Sequence, residues 1–116
     1  MNKRICIDLN GVLDTYHGWQ GSVTWHPPRA GAREFLRELK ARGFEVVVLT
    51  TRDPDAARHW LIENGLLDCI DLVTDRKVAA HAYIDDRAVC FHGDFDRALA
   101  EITVFAPHWQ KAQADA

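Results

Sequence analysis

Asp8 closes the first apolar run of the chain, Thr50 and Thr51 follow the second, and Asp85-Asp86 follow a later one, with Lys77 a few residues ahead of it. If these runs are neighbouring strands of one sheet, three carboxylates, one or two hydroxyls and a lysine converge on one rim. Carboxylates so placed repel one another, and the arrangement is stable mainly when a hard cation neutralises them. Magnesium suits the set, because oxygen ligands and a phosphate complete its octahedron. The six histidines show no His-x-x-x-His spacing, so zinc is not expected. His59, His81, His92 and His108 read as surface or partly packed residues, and Trp60 and Trp109 as packing on helix faces.

The elements that must position these groups follow from periodicity and breakers. Lys3 to Leu9 alternates little and is rich in Ile and Leu, the mark of a strand buried on both faces, and it runs into the turn signal Asn10-Gly11. Asp14 to Pro28 has no clear period and reads as a loop or short flap. Pro27-Pro28 ahead of Phe35, Leu36 and Leu39, with Gly43 as a stop, predicts a helix. Phe44 to Leu49 is an uninterrupted second strand. Asp53-Pro54 opens a helix that buries Ala57, Trp60 and Leu61 and ends at Asn64-Gly65. Ile70 to Val73 and Ala82 to Ile84 read as the third and fourth strands, with Ala88 to Phe91 a candidate fifth. A helix from about Phe95 to Ile102 and a packed helical turn from Pro107 complete the chain. This alternation predicts an α/β fold, a three-layer Rossmann-like parallel sheet with right-handed crossovers and helices on both faces. In such sheets ligands bind beyond the carboxyl ends of the strands, where Asp8, Thr50 and Asp85-Asp86 stand.

A length of 116 residues fits one domain over 1–116, with residues 14–28 as its flap. Hydrophobic residues at 47% and charged residues at 27% are ordinary for a globular chain. No apolar run approaches the roughly 20 residues that span a bilayer, and the start has a charge inside its apolar run, unlike a signal peptide. A cytoplasmic protein is expected. Net charge is −3 with scattered basic residues, which leaves no electrostatic footprint for duplex DNA or an anionic membrane. Cys6, Cys69 and Cys90 lie among apolar residues without a Cys-x-x-Cys pair, and read as buried reduced thiols.

Asp8-Leu9-Asn10-Gly11-Val12-Leu13 resembles the first motif of the haloacid dehalogenase-like phosphohydrolase superfamily, Asp-x-Asp-Gly-Val/Thr-Leu/Val after a buried strand. Val46 to Thr50 is similar to the second motif, Lys77 stands where the third keeps a lysine, and Tyr83-Ile84-Asp85-Asp86 is similar to the acidic fourth. The resemblance covers roughly Lys3 to Phe91 with the motifs in order. It implies that Asp8 is a nucleophile forming an aspartyl-phosphate and also a magnesium ligand. The carbonyl of Asn10 and a carboxylate of Asp85 or Asp86 would add ligands, with the choice between the pair open. Thr50 and Lys77 would bind the phosphoryl oxygens, and amides around Gly11 would extend that cradle. Thr51 and Arg52 are further substrate-binding candidates, Arg52 through its planar fork.

The chain departs from the motif at Asn10, where the family usually keeps a second Asp that protonates the leaving oxygen and later deprotonates water. An amide cannot exchange that proton, and general acid–base help is typically worth about 100- to 10,000-fold. Several outcomes stay open: slow hydrolysis or hydrolysis of good leaving groups, a substitute base in Asp14 or His17, a phosphate- or nucleotide-binding module without turnover, and an Asn introduced to stall the enzyme. No cap domain is expected, because only the 14–28 flap and a short segment after Thr74 separate the motifs. An open site suits a large phosphorylated substrate, or a second subunit acting as lid in a homo-oligomer. His17, Trp19, Trp25 and His26 in the flap either stack on a base or sugar or pack the flap against the body.

Overall fold

Ile5, Cys6 and Ile7 are all buried, so β1 (Arg4–Asp8) has no solvent face and occupies the middle of a sheet. It pairs in parallel with β2 (Glu45–Leu49) on one side and β4 (Ala82–Ile84) on the other, and β3 (Leu72–Thr74) pairs with β2. The order is β3-β2-β1-β4, all parallel. Because Asp8 lies opposite Leu49 and Ile7 opposite Ile84, the residues just past β2 and β4 reach the level of Asp8. The computed structural model describes residues 3–21 and 24–115. Met1, Asn2 and Ala116 of the expected 1–116 domain, and Ser22 and Val23 of the flap, lie outside the described residues.

The main core joins Ile5, Ile7 and Leu9 to Val46 and Val48, and to Leu36 and Leu61 from the two helices that connect the first three strands. Each such side chain contributes roughly 1.5–3 kcal/mol when removed from water. The first of these helices, α1 (Ala32–Ala41), begins four residues after Pro28, with the Pro pair ahead of it as expected. Pro28 bridges Asp14, and the carbonyl of Pro27 accepts the Thr15 N–H at 3.0 Å, so these residues root the flap. Leu36 and not Phe35 turns inward. Gly43 ends α1 at φ +87°, a conformation that costs glycine little, while the Phe44 N–H returns to the Leu39 carbonyl at 3.0 Å.

In α2 (Pro54–Glu63) the Asp53 carboxylate caps the Ala56 N–H at 3.1 Å, and Ala57, Trp60 and Leu61 are buried as expected. Both helices pack on the sheet and meet the short turn Leu67–Cys69. β3 begins two residues later than expected because Asp71 is spent on the edge of β2: its N–H reaches the Val46 carbonyl at 2.8 Å and its carboxylate accepts the Val46 N–H at 2.7 Å and Lys40 at 2.6 Å.

The expected fifth strand over Ala88 to Phe91 does not form: among the described residues β4 is the edge, and only Val89 of that segment is even half-buried. Without a face to bury, a β-prone run gains nothing from pairing. Cys90 is exposed there, whereas Cys6 and Cys69 are buried. α3 (Phe95–Val104) is capped by Asp94, whose carboxylate accepts from the Asp96 and Arg97 amides, and it buries none of its side chains. Pro107 is buried, and α4 (His108–Asp115) follows it as a full helix where a single turn was expected. Among the described residues no helix is long and apolar enough to cross a membrane.

Candidate active site

The loop leaving β1 is organised by one carboxylate. Asp14 is wholly buried and accepts the Gly11 N–H at 2.8 Å, the Tyr16 N–H at 2.9 Å and the Asn10 side-chain amide at 2.6 Å. Gly11 sits at φ +87°, and a Cβ built there would overlap the Asp86 carboxylate. Only glycine lets the first loop and the loop after β4 approach this closely.

Asp8, Asp85 and Asp86 each present a carboxylate oxygen, and these oxygens lie within 4.8 Å of one another. Burial pushes the Asp8 carboxyl up to about 8, helped by its hydrogen bond with Asp86 and by the charges of Asp85 and Asp86, against a smaller opposing bond from the Leu9 amide. Asp85 accepts the Arg87 N–H at 2.7 Å and Asp86 accepts the Trp109 indole N–H at 2.7 Å. A set made only of carboxylate oxygen donors crowded together fits a hard divalent cation such as magnesium.

These carboxylates line an open cleft of about 480 Å³ that Thr50, Thr51, Arg52 and Lys77 also line. Thr50 is 2% exposed; its N–H is fixed to the Thr74 carbonyl at 3.0 Å and its hydroxyl oxygen accepts the Arg52 N–H at 3.1 Å. The hydroxyl proton is thereby left for a donor role. The Lys77 ammonium stands 4.6 Å from the Tyr83 ring centroid. Arg52 reaches the cleft wall, yet its terminal nitrogens donate to the Thr24 and Gly21 carbonyls at 2.9 and 3.3 Å and its guanidinium lies 4.0 Å over Trp25 and 5.5 Å from Trp19. From the cleft wall it thus also pins the flap, a role the sequence did not suggest.

The structure thus brings Asp8, Asn10, Thr50, Thr51, Lys77, Asp85 and Asp86 to one cleft, with Gly11 directly beneath Asp86. It separates the candidate substitute bases from it. Asp14 is consumed by the loop, and His17 lies outside the lining with Nδ1 3.1 Å from the Thr15 carbonyl. Of the flap aromatics, His26 is buried with its carbonyl bound by Trp60 at 2.9 Å, and Trp25 backs Arg52; Trp19, 67% exposed, faces the cleft. Sequence reasoning missed Tyr16, Asp75 and Arg87 on the cleft wall. His108 is exposed and Trp109 packs on Tyr16 and Arg87, in line with their reading as a surface or partly packed residue and a packing residue, but their polar contacts were not foreseen: His108 Nε2 meets the Gly11 carbonyl at 2.7 Å. A carbonyl only accepts, so this nitrogen carries the proton. No local pattern signals a contact across 97 residues.

The family model for haloacid dehalogenase-like hydrolases matches residues 19–88. The chain belongs to that family. The span that matches the haloacid dehalogenase-like hydrolases holds Thr50, Lys77, Asp85 and Asp86, while Asp8 and Asn10 precede it. A crystal structure of an uncharacterized protein from Listeria monocytogenes serotype 4b aligns with a TM-score of 0.54 at 19% identity, over 89% of this chain and 62% of that one, and shows the fold to be the same. The chain therefore spans less than two thirds of that protein's length. No curated protein matches it.

Proposed function

We propose that the protein is a magnesium-dependent phosphohydrolase acting through an aspartyl-phosphate on Asp8. The observation that carries this reading is the convergence of Asp8, Asp85 and Asp86, whose carboxylate oxygens lie within 4.8 Å of one another in the cleft that Thr50 and Lys77 also line. Burial and the acidic neighbours disfavour the charged form of Asp8, and a cation held by those same neighbours would favour it. When bound, magnesium offsets the charge of the carboxylates and of the transferring phosphoryl group.

The chain's own groups do the rest. An Asp8 oxygen attacks phosphorus in line with the leaving oxygen: an Asp8 O–P bond forms, the ester P–O bond breaks, and the leaving group departs with the bonding pair. Thr50 donates its hydroxyl to a phosphoryl oxygen and Lys77 supplies a positive charge in the same cleft. Water then cleaves the aspartyl-phosphate and restores Asp8. Asn10, whose amide is turned toward Asp14, has no proton to give the leaving oxygen. Acyl and aryl phosphates, which leave as stable anions, are the substrates this favours. With a flap in place of a cap, a large phosphorylated substrate fits the open cleft, and a second copy of the chain acting as lid belongs to the same reading, as does a cytoplasmic setting.

The test is magnesium-dependent phosphate release from 4-nitrophenyl phosphate, abolished by Asp8→Asn; a chain inactive across aryl, acyl and alkyl phosphates with magnesium present defeats the reading. The Asn10 amide's engagement with Asp14 also favours a second reading, a phosphate- or nucleotide-binding module of the same fold. That module would gain thermal stability from phosphate and magnesium together, with no turnover.

A further inference from the structure

Two adjacent residues of α4 enter the site from the far end of the chain. His108 donates to the Gly11 carbonyl, and the Trp109 indole donates to Asp86 Oδ2, each at 2.7 Å. The Trp109 ring also meets Tyr16 of the flap edge-on at 5.5 Å, and the Arg87 guanidinium lies 5.1 Å from it. One side chain therefore contacts the flap, the loop after β4 and a carboxylate of the acidic cluster. The oxygen it holds is the same one that packs over Gly11, so Asp86 is fixed from two directions.

We infer that Trp109 is a positioning residue for divalent-cation binding, orienting Asp86 so that the three carboxylates stay convergent; this rests on reading that cluster as a cation site. The chemistry of the donor matters. Indole offers one N–H and no charge, so it orients a carboxylate without cancelling the negative charge a cation needs. A lysine or arginine in the same place would hold Asp86 and compete with the ion. Ligating carboxylates are commonly held by hydrogen-bond donors in this way, and loss of such a partner typically weakens metal binding by about 10- to 100-fold.

The test uses the full chain and magnesium alone. Trp109→Phe keeps a ring against Tyr16 and Arg87 and removes the N–H; Trp109→Ala removes both. The expected result by titration calorimetry is a roughly tenfold weaker magnesium affinity for Trp109→Phe, with its melting temperature in EDTA unchanged. A purely structural tryptophan would give the opposite pattern, a lower melting temperature in EDTA with affinity retained, and that pattern overturns the proposal. The unaltered chain gives a second readout that needs no variant: the Trp109 indole N–H resonance shifts on magnesium titration, with a midpoint matching the calorimetric one. A resonance that stays still while magnesium binds also overturns it. Absence of any magnesium binding by the unaltered chain defeats the phosphohydrolase reading and this role together, whereas intact binding in Trp109→Phe defeats this role alone.

Discussion

The Asn10 side-chain amide donates to the Asp14 carboxylate at 2.6 Å, and that carboxylate, wholly buried, also holds the Gly11 and Tyr16 amides. Asn10 is therefore part of the loop's internal bonding and not only a missing acid. Asn10→Asp sets two carboxyl groups at hydrogen-bond distance with no donor between them. We expect it to destabilise the fold by about 1–3 kcal/mol, measured by urea unfolding. The paired exchange Asn10→Asp with Asp14→Asn reverses the direction of that bond and keeps an oxygen for the Gly11 and Tyr16 amides. It should recover most of the lost stability and raise alkyl phosphate hydrolysis more than aryl, since poor leaving groups need the proton most. Equal unfolding midpoints for the native chain and the single variant would refute the coupling.

Asp8 gives a pH dependence of defined sign. Its folded-state carboxyl is raised from 3.8 to about 8, so in the metal-free protein the contribution to stability is complete below the unfolded value. Between about pH 4 and about pH 8 the unfolded chain ionises while the folded site resists, and stability falls. Urea unfolding in EDTA should show this decline, and Asp8→Asn should flatten it. Magnesium at about a hundredfold over its dissociation constant should add about 2.7 kcal/mol, most evidently at the alkaline end. A metal-free profile that rises with pH over this window would contradict the assignment to Asp8.

Arg52 ties the flap to the end of β2 through the Thr24 and Gly21 carbonyls and the Trp25 ring. Arg52→Ala should cost about 1–2 kcal/mol and speed limited proteolysis within residues 14–28. Arg52→Lys should rescue little, because an ammonium cannot span two carbonyls while stacking on a ring. Cleavage rates that match the native chain would show the flap to be held elsewhere.

Gly11→Ala combines a positive φ with overlap on Asp86. Magnesium affinity should drop in calorimetry while the circular dichroism spectrum stays native, because the displaced group is a site carboxylate and not a core side chain.

The sheet and its two connecting helices were legible because their signals are local: the Ile-rich run ending at Asp8, the Val run ending at Leu49, the Asp53-Pro54 cap. The convergence of Asp8, Thr50, Lys77 and Asp85-Asp86 was legible for the same reason, since strand ends in a parallel sheet share an edge. What failed depended on distant partners. Val89 and Cys90 have β-prone character but no surface to cover, so no strand forms, and the hold of Arg52 on the flap carbonyls has no local signal. The roles of Asp14, His108 and Trp109 arise from bonds that no spacing rule encodes.

Between Val73 and Pro107 no residue is fully buried, so the chain divides into a dense portion built on β1, β2 and the first two helices and a lightly packed portion built on β4 and α3. Asp8 belongs to the first, Asp85 and Asp86 to the second, and the ladder between β1 and β4 with the Pro107 to Trp109 clip joins them. An ion shared by those three aspartates would act as a rivet across that seam. Chelation should then loosen amide protection in β4 and α3 well before it reaches β2, and occupancy of the site would be written into how firmly the outer portion is held.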